Sequence, residues 1–337
     1  NGHCLLGIHI HHLLYMKLSN IDIILKGIQK APITVFVHDY YLCCTNYNLM
    51  KNNNSFCGGK GLSENYCKEC SSYENSRLIE KEIDIFLKKY QERIKFIAPS
   101  TVTKKIFLKF HPEFENRIIV LPHQTKVGVY EGNLDEIKDN EKIKIGYMAM
   151  PREHKGWEVW KKLQKIYRDK YEFIVFNSSD DIYDGMDKVK VQFTEDNLNA
   201  MTDAVRNKKV HAVLMWSMCP ETYSYTCFEA YASNAFIITN NISGNIFNVV
   251  ESENNGKIFS SENELIEFFK NPITVRKEIN EFRRNGKRGP MELYENKEIV
   301  DLTLNSIEIK DVKVGKRKIS NRILLLFLNL LYRYKNS

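Results

Sequence analysis

Two glutamates, Glu221 and Glu229, bracket the run Thr222-Tyr223-Ser224-Tyr225-Thr226-Cys227-Phe228. The apolar residues after Ser224 read as a helix over Tyr225–Ser233, so the backbone N–H groups of Ser224, Tyr225 and Thr226 fall at its start. Such a start holds unpaired donors and the positive end of the helix dipole, which together suit a diphosphate. A carboxylate on either side of a bound phosphate can accept hydrogen bonds from sugar hydroxyls. On this reading Glu221, in the loop, faces a sugar, and Glu229, about one turn into the helix, faces a ribose. Taken singly, each glutamate would more often be a solvated surface residue.

Other chemistry-bearing residues also close predicted strands. His38 and Asp39 follow Ile33–Val37, and His11 and His12 follow Leu5–Ile10. A lone histidine is more often structural, but a strand end places it at the rim of a sheet, where Asp39 could orient His38. Arg152 and Lys155 stand in Arg152-Glu153-His154-Lys155-Gly156-Trp157, just after the predicted strand Ile143–Met148. Alone, they would be ordinary cations near a helix start. Between the halves of the first region lie Cys43, Cys44, Cys57, Cys67 and Cys70. Cys67 and Cys70 have the spacing of a zinc knuckle, and Cys44 and Cys57 could complete a tetrahedral set. The alternative is a group of reduced thiols. Cys4, Cys219 and Cys227 read as small core or loop residues.

The elements that must position these residues alternate in type. A predicted helix near Ile21–Gln29 joins the first two strands, and Ser76–Tyr90 carries apolar residues at helical spacing. Phe96–Ala98 reads as a strand, Ser100 can cap a helix over Val102–Phe110, and Ile118–Leu121 is another strand. A charged, apolar-poor segment around Asp135–Lys142 places a domain boundary between about 125 and 142. Beyond it the alternation continues with helix Trp157–Tyr167, strands Phe173–Phe176 and Val189–Phe193, helix Asp196–Arg206, and strands Ala212–Trp216 and Phe236–Thr239. The expected class is α/β, with doubly wound parallel sheets whose ligands bind beyond the carboxyl ends of strands.

The segment from Pro220-Glu221-Thr222-Tyr223-Ser224-Tyr225-Thr226 through Glu229-Ala230, with Asn234-Ala235-Phe236-Ile237-Ile238 and Ser243-Gly244, resembles the donor signature of retaining family 4 glycosyltransferases. Ser224 and Asn234 stand where that family commonly has glycine; a small Ser and an Asn able to turn left-handed suit those positions. The resemblance implies a GT-B fold with two Rossmann-like domains facing a cleft. It assigns residues 1–130 to an acceptor domain, 140–310 to the nucleotide-sugar domain and 311–337 to a basic and apolar C-terminal helix. It implies a UDP-, GDP- or dTDP-sugar donor, a glycan or lipid-linked acceptor, retention of configuration and no catalytic metal. Lys155, with Arg152, would hold the leaving diphosphate, and His38 would sit beside the donor sugar. The cysteine pattern after His-Asp-Tyr is similar to that of a subgroup of bacterial polysaccharide transferases. The opening strand and Gly-rich loop of the family are not found before Leu5–Ile10, so the first domain is expected to lack them.

Composition narrows the alternatives. The chain has 337 residues, 43% of them hydrophobic, and 49 Lys and Arg against 42 Asp and Glu give a net charge of +7. That suits two cores and an anionic small ligand or lipid surface, but is too weak for nucleic acid. Eight cysteines in a chain of this size read as reduced and cytosolic. No G-x-G-x-x-G turn supports a dinucleotide dehydrogenase. A module that binds nucleotide sugar without turnover is the competing class. No signal peptide is read at the start, and the longest apolar run, Ile323–Leu331, is too short to span a bilayer. Flanked by Lys316-Arg317-Lys318 and by Arg333 and Lys335, it could instead pack on the first domain or lie on an anionic membrane at the inner face.

Overall fold

The computed structural model describes residues 7–28, 31–52, 54–59, 65–130 and 134–305. The expected helix over Ile323–Leu331, the start of the Leu5–Ile10 strand, and Cys4 lie outside them.

Residues 8–120 build a four-stranded parallel sheet in the order β1-β2-β3-β4, from β1 (Ile8–Ile10), β2 (Ile33–Phe36), β3 (Ile94–Ala98) and β4 (Ile118–Val120). The crossovers include α1 (Leu18–Gly27), α2 (Tyr73–Tyr90) and α3 (Thr101–Phe110). The Ser100 hydroxyl accepts from the Thr103 N–H at 3.2 Å, as the cap reading expects. Phe96, Phe107 and Phe114 are buried together in this core, each contributing about 1.5–3 kcal/mol of transfer free energy. Within the cysteine-bearing loop a short hairpin pairs Met50–Lys51 with Ser55–Phe56, an element too brief to show in the apolar pattern.

Residues 143–259 form a six-stranded parallel sheet from β5 (Ile143–Tyr147), β6 (Tyr171–Asn177), β7 (Asp187–Lys190), β8 (Ala212–Met215), β9 (Phe236–Asn240) and β10 (Gly256–Phe259). Their order is β7-β6-β5-β8-β9-β10. This is the doubly wound arrangement, whose topological switch lies between β5 and β8 and opens a crevice at their carboxyl ends. Helices α4 (Trp157–Tyr167), α5 (Ala200–Asn207), α6 (Tyr225–Ala232), α7 (Asn245–Glu253), α8 (Glu262–Lys270) and α9 (Pro272–Asn285) complete the unit. Two sequence expectations shift here. The strand expected over Val189–Phe193 ends at Lys190, and Phe193 is exposed. The helix expected from Asp196 starts only at Ala200, because the Asn197 side chain accepts from the Asn199 N–H and Thr194 bridges Asn197, bonds that favour a turn over a helix.

The chain then crosses back. Glu292–Glu295 pairs antiparallel with Gln124–Val127. The following helix α10 (Glu298–Asn305) lays Ile299 against Phe36, Ile97 and Leu121 of the first sheet. Among the described residues no helix is long and apolar enough to cross a membrane.

Candidate functional site

The crevice at the β5–β8 switch is shaped by two glycines in left-handed conformation. Gly156, at φ 77°, ends the Glu153–Lys155 turn, and a Cβ there would lie 2.3 Å from the Trp216 carbonyl oxygen. Only a residue without a side chain lets this turn lie against the end of β8, where the Met218 N–H donates to the His154 carbonyl at 2.9 Å. Gly244, at φ 68°, lies as close to Glu221: its Cβ would fall 2.5 Å from the Glu221 nitrogen. The Glu221 N–H donates to the Ser243 carbonyl at 3.2 Å, and the Asn245 N–H donates to the Glu221 carbonyl at 2.9 Å. The two glycines thus bring Lys155 and Glu221 to one point from opposite sides.

There Lys155 Nζ donates to Glu221 Oε1 at 2.5 Å, and Ser217 Oγ donates to the same oxygen at 3.0 Å. Lys155, Glu221, Ser224 and Thr226 line one small cavity with Tyr147 and Met215, at the mouth of the switch. Ser224 adopts φ 65° and α6 begins immediately after it, with no side chain capping the first turn. A left-handed residue here accounts for a preference for glycine. Asn234, at φ 56°, is likewise left-handed, and its Oδ1 accepts from the Gly289 N–H at 2.9 Å.

Besides His38, three of the donor-site candidates stand apart from this cavity. Tyr225 is half exposed and stacks on His123, with ring centroids 5.6 Å apart. Arg152 is exposed, and its carbonyl accepts from the Lys155 N–H at 3.0 Å. Glu229 is buried inside α6 rather than exposed, because α6 is enclosed by its neighbours along nearly its whole length. Burial alone pushes its carboxyl up to about 7.

The first sheet contributes His38 from the end of β2. Its carbonyl accepts from Thr222 Oγ1 at 2.8 Å, and Thr103 Oγ1 donates to the Thr222 carbonyl at 2.9 Å, so the loop carrying Glu221 is bonded to both β2 and α3. His38, Tyr47, Lys155, Glu221 and Thr222 line a cleft of about 110 Å³ between the two sheets. Asp39 does not orient His38. Its carboxylate accepts from the Tyr41 N–H at 2.8 Å and pairs with His12 Nε2 at 3.0 Å, because an Asp in this position closes an Asx turn on its own backbone. The His38 ring is held instead by His11 Nδ1, 3.2 Å from its Nε2, and by His123 Nε2, 3.3 Å from its Nδ1. Burial first, and then the neighbouring His123, His11 and His12, push His38 down to about 4. Burial, with His11, does the same for His123. His123 was not singled out in the sequence. The signal was available: it follows a predicted parallel strand, Ile118–Leu121, as His38 follows its own.

Cys44, Cys57, Cys67 and Cys70 all line one small cavity beside Leu49 and Met50. No disulfide joins them, and Cys44 Sγ lies 3.2 Å from Ser76 Oγ. Burial raises the thiols of Cys44 and Cys57 above the usual range. The donor set is one that zinc accepts. As placed, however, no group of three or more His, Cys, Asp or Glu side chains among the described residues is arranged to hold a metal ion.

No protein-family model matches the chain, and no curated protein matches it. Among solved structures it is similar to sucrose-phosphate synthase from Thermosynechococcus elongatus, with a TM-score of 0.51 at 12% identity over 89% of this chain and 72% of that one. It is also similar to Anabaena HepE in complex with UDP-glucose, with a TM-score of 0.51 at 12% identity over 82% of this chain and 72% of that one. The architecture is accordingly that of GT-B, α/β with two Rossmann-like halves.

Proposed function

We propose that the protein is a retaining glycosyltransferase that moves a sugar from a nucleotide-sugar donor to a glycan or lipid-linked acceptor. The observation that carries this reading is the meeting of Lys155, Glu221 and the uncapped start of α6 at the switch point, opposite His38. The diphosphate sits at the α6 N-terminus, where unpaired N–H groups and the helix dipole favour its charge. Lys155 turns from Glu221 towards the phosphate as the glycosidic bond breaks and charge develops on the leaving oxygen. Arg152 lends further positive potential from the rim. Glu221, released from Lys155, accepts from hydroxyls of the transferred sugar, and Glu229 accepts from the ribose. His38 closes the sugar pocket from the first sheet. UDP-glucose is named with the HepE structure, which makes UDP-sugars the first donors to try.

The test is turnover with a panel of UDP-, GDP- and dTDP-sugars, with the anomeric configuration of the product read by proton NMR. Product of retained configuration is the expected outcome. An inverted product rejects the retaining mechanism, and donor binding with no transfer or hydrolysis leaves a nucleotide-sugar-binding module.

The cysteine loop supports a further proposal, a structural zinc held by Cys44, Cys57, Cys67 and Cys70. Its support is that all four, from three separate stretches of chain, line one cavity. Zinc binding would require the side chains to draw inward from their present placement. About one zinc per chain by elemental analysis, lost in Cys67→Ser, is the expected result; metal-free protein with an intact fold rejects it. Attachment of residues 311–337 to an anionic membrane is tested by liposome flotation of the intact chain against one ending before Ile319.

A further inference from the structure

We propose that His123 is the positioning residue for His38, coupling through the His38 Nδ1 contact the proton of the His38 ring in the sugar pocket to its own. The inference rests on the glycosyltransferase reading for its functional meaning, but its geometry does not.

Three imidazoles run in a chain, His11 Nδ1 to His38 Nε2 at 3.2 Å and His38 Nδ1 to His123 Nε2 at 3.3 Å. A neutral imidazole has one N–H donor and one acceptor nitrogen. With both nitrogens of the central ring engaged, its proton can occupy only the arrangement that the outer rings permit. Either His11 donates to His38 and His38 to His123, or both bonds run the other way. The proton position of the central ring is therefore coupled to those of its neighbours rather than independent of them. Burial of His38 and His123 keeps both neutral at ordinary pH, which leaves each with a single ring proton.

Of the two outer rings, His123 is the better held. His11 is exposed at the end of β1, although its ring stacks on Phe36 at 4.2 Å. His123 is half-buried, and its backbone is fixed by the returning chain: the Asn296 N–H donates to its carbonyl at 2.9 Å, and the next residue's N–H donates to the Tyr223 hydroxyl at 3.2 Å. Its ring packs against Tyr223 at 4.9 Å and stacks on Tyr225 at 5.6 Å. Tyr225 is the first residue of α6. His123 thereby ties the imidazole of the first sheet to the helix start of the second.

Two substitutions separate the nitrogen from the ring. His123→Phe keeps an aromatic surface for Tyr225 and removes the Nδ1 partner of His38, whereas His123→Gln places an amide where the imidazole Nε2 stood. The first readout is the tautomer of His38 by ¹⁵N NMR of the full chain labelled in its histidines, without donor. The tautomer ratio of His38 in the parent is expected to be kept in His123→Gln, whose amide can take either role, and to shift in His123→Phe. The second is steady-state kinetics with UDP-glucose: kcat is expected to fall roughly tenfold in His123→Phe with the donor KM within about twofold, and to recover in His123→Gln. An unchanged His38 tautomer ratio in His123→Phe, or the same shift in both variants, overturns the inference. A parent protein that turns over no nucleotide sugar overturns the functional reading instead, and the NMR result still decides the role of His123.

Discussion

The two sheets present their shared cleft with different kinds of group, held in different ways. The six-stranded sheet supplies a charged pair, Lys155 and Glu221, on turns that bend where Gly156 and Gly244 let the backbone pass within contact distance of its neighbours. The four-stranded sheet supplies uncharged imidazoles, His11, His38 and His123, held side by side by stacking and ring-to-ring hydrogen bonds. Charge is needed where a diphosphate must be gripped and then released, and a close-packed glycine turn fixes its position without spending a side chain on it. The opposite wall meets a neutral sugar, and a desolvated neutral ring can approach that without carrying counter-charge into the cleft. The difference teaches that, on the reading proposed above, the second sheet binds through electrostatics while the first acts through shape and the placement of a single proton.

The largest effect should come from the charged side. Lys155→Ala is expected to lower kcat by about 10²–10³ with a smaller change in donor KM, as for loss of a group that acts on developing charge. His38→Ala, measured beside it, should cost less; equal losses would erase the contrast between the walls. Next in size is Gly156→Ala, which adds a Cβ 2.3 Å from the Trp216 oxygen at φ 77°. A destabilisation of about 1–3 kcal/mol by urea unfolding is expected, and a neutral result would show that the turn can move away from Trp216.

A smaller effect concerns Glu229, whose carboxyl burial pushes up to about 7. Ribose hydroxyls donate to the ionised form, so uridine, which carries no phosphate to titrate in this range, should bind more tightly as pH rises from 6 to 8, with proton release seen by calorimetry in buffers of different ionisation enthalpy. Glu229→Gln should weaken uridine roughly tenfold at pH 8 and remove the pH dependence. A parent whose affinity is flat with pH would take Glu229 out of the ribose contact.

The smallest effect is on stability. His38, His123 and His211 are each pushed down to about 4, chiefly by burial. Unfolded histidines titrate near 6.5, so between about pH 6.5 and 4 the unfolded chain binds more protons and stability falls as pH is lowered. Glu229 opposes this, since its raised pKa gives the folded state the extra proton between about 4.5 and 7. His11 and His154 are lowered in the same sense, and Asp39 and Glu80 are raised in the sense of Glu229, so five groups against three predict a lower melting temperature at pH 5 than at pH 7. Substituting both His38 and His123 with Gln should remove more of that slope than His211→Gln, and the reverse order would move the acid-sensitive point out of the cleft.

Much of the second sheet was legible because a parallel sheet buried on both faces writes itself as apolar runs alternating with amphipathic helices. The residues Glu221, Lys155 and Ser224 were legible because they stand within a few positions of strand ends and a helix start. Glu229 was legible as a residue but not in its setting: that its carboxyl is buried was not read, since helix periodicity alone does not reveal how many neighbours enclose the helix. The first sheet was read as strands and helices, yet its site was misread around one residue. Asp39 stands next to His38 and was assigned to orient it, whereas the ring is held by His11 and His123, 27 and 85 residues away. Cys44, Cys57, Cys67 and Cys70 were grouped from the sequence and do line one cavity, but the hairpin beside them was invisible.

By itself, the sequence determined what is local: which segments alternate, where helices can start, which positions tolerate left-handed backbone and which side chains carry charge. Only the tertiary structure decided which of those side chains meet. The Lys155–Glu221 pair, the bonds from the Glu221 loop to β2 and α3, and the imidazole chain closed by the returning strand all join residues far apart in the chain. Neighbours along a chain share a helix turn or a strand face, but partners in a cleft are set by how strands are ordered in a sheet and how two sheets face each other. That ordering is fixed by burial summed over whole cores, a quantity no short stretch of sequence contains.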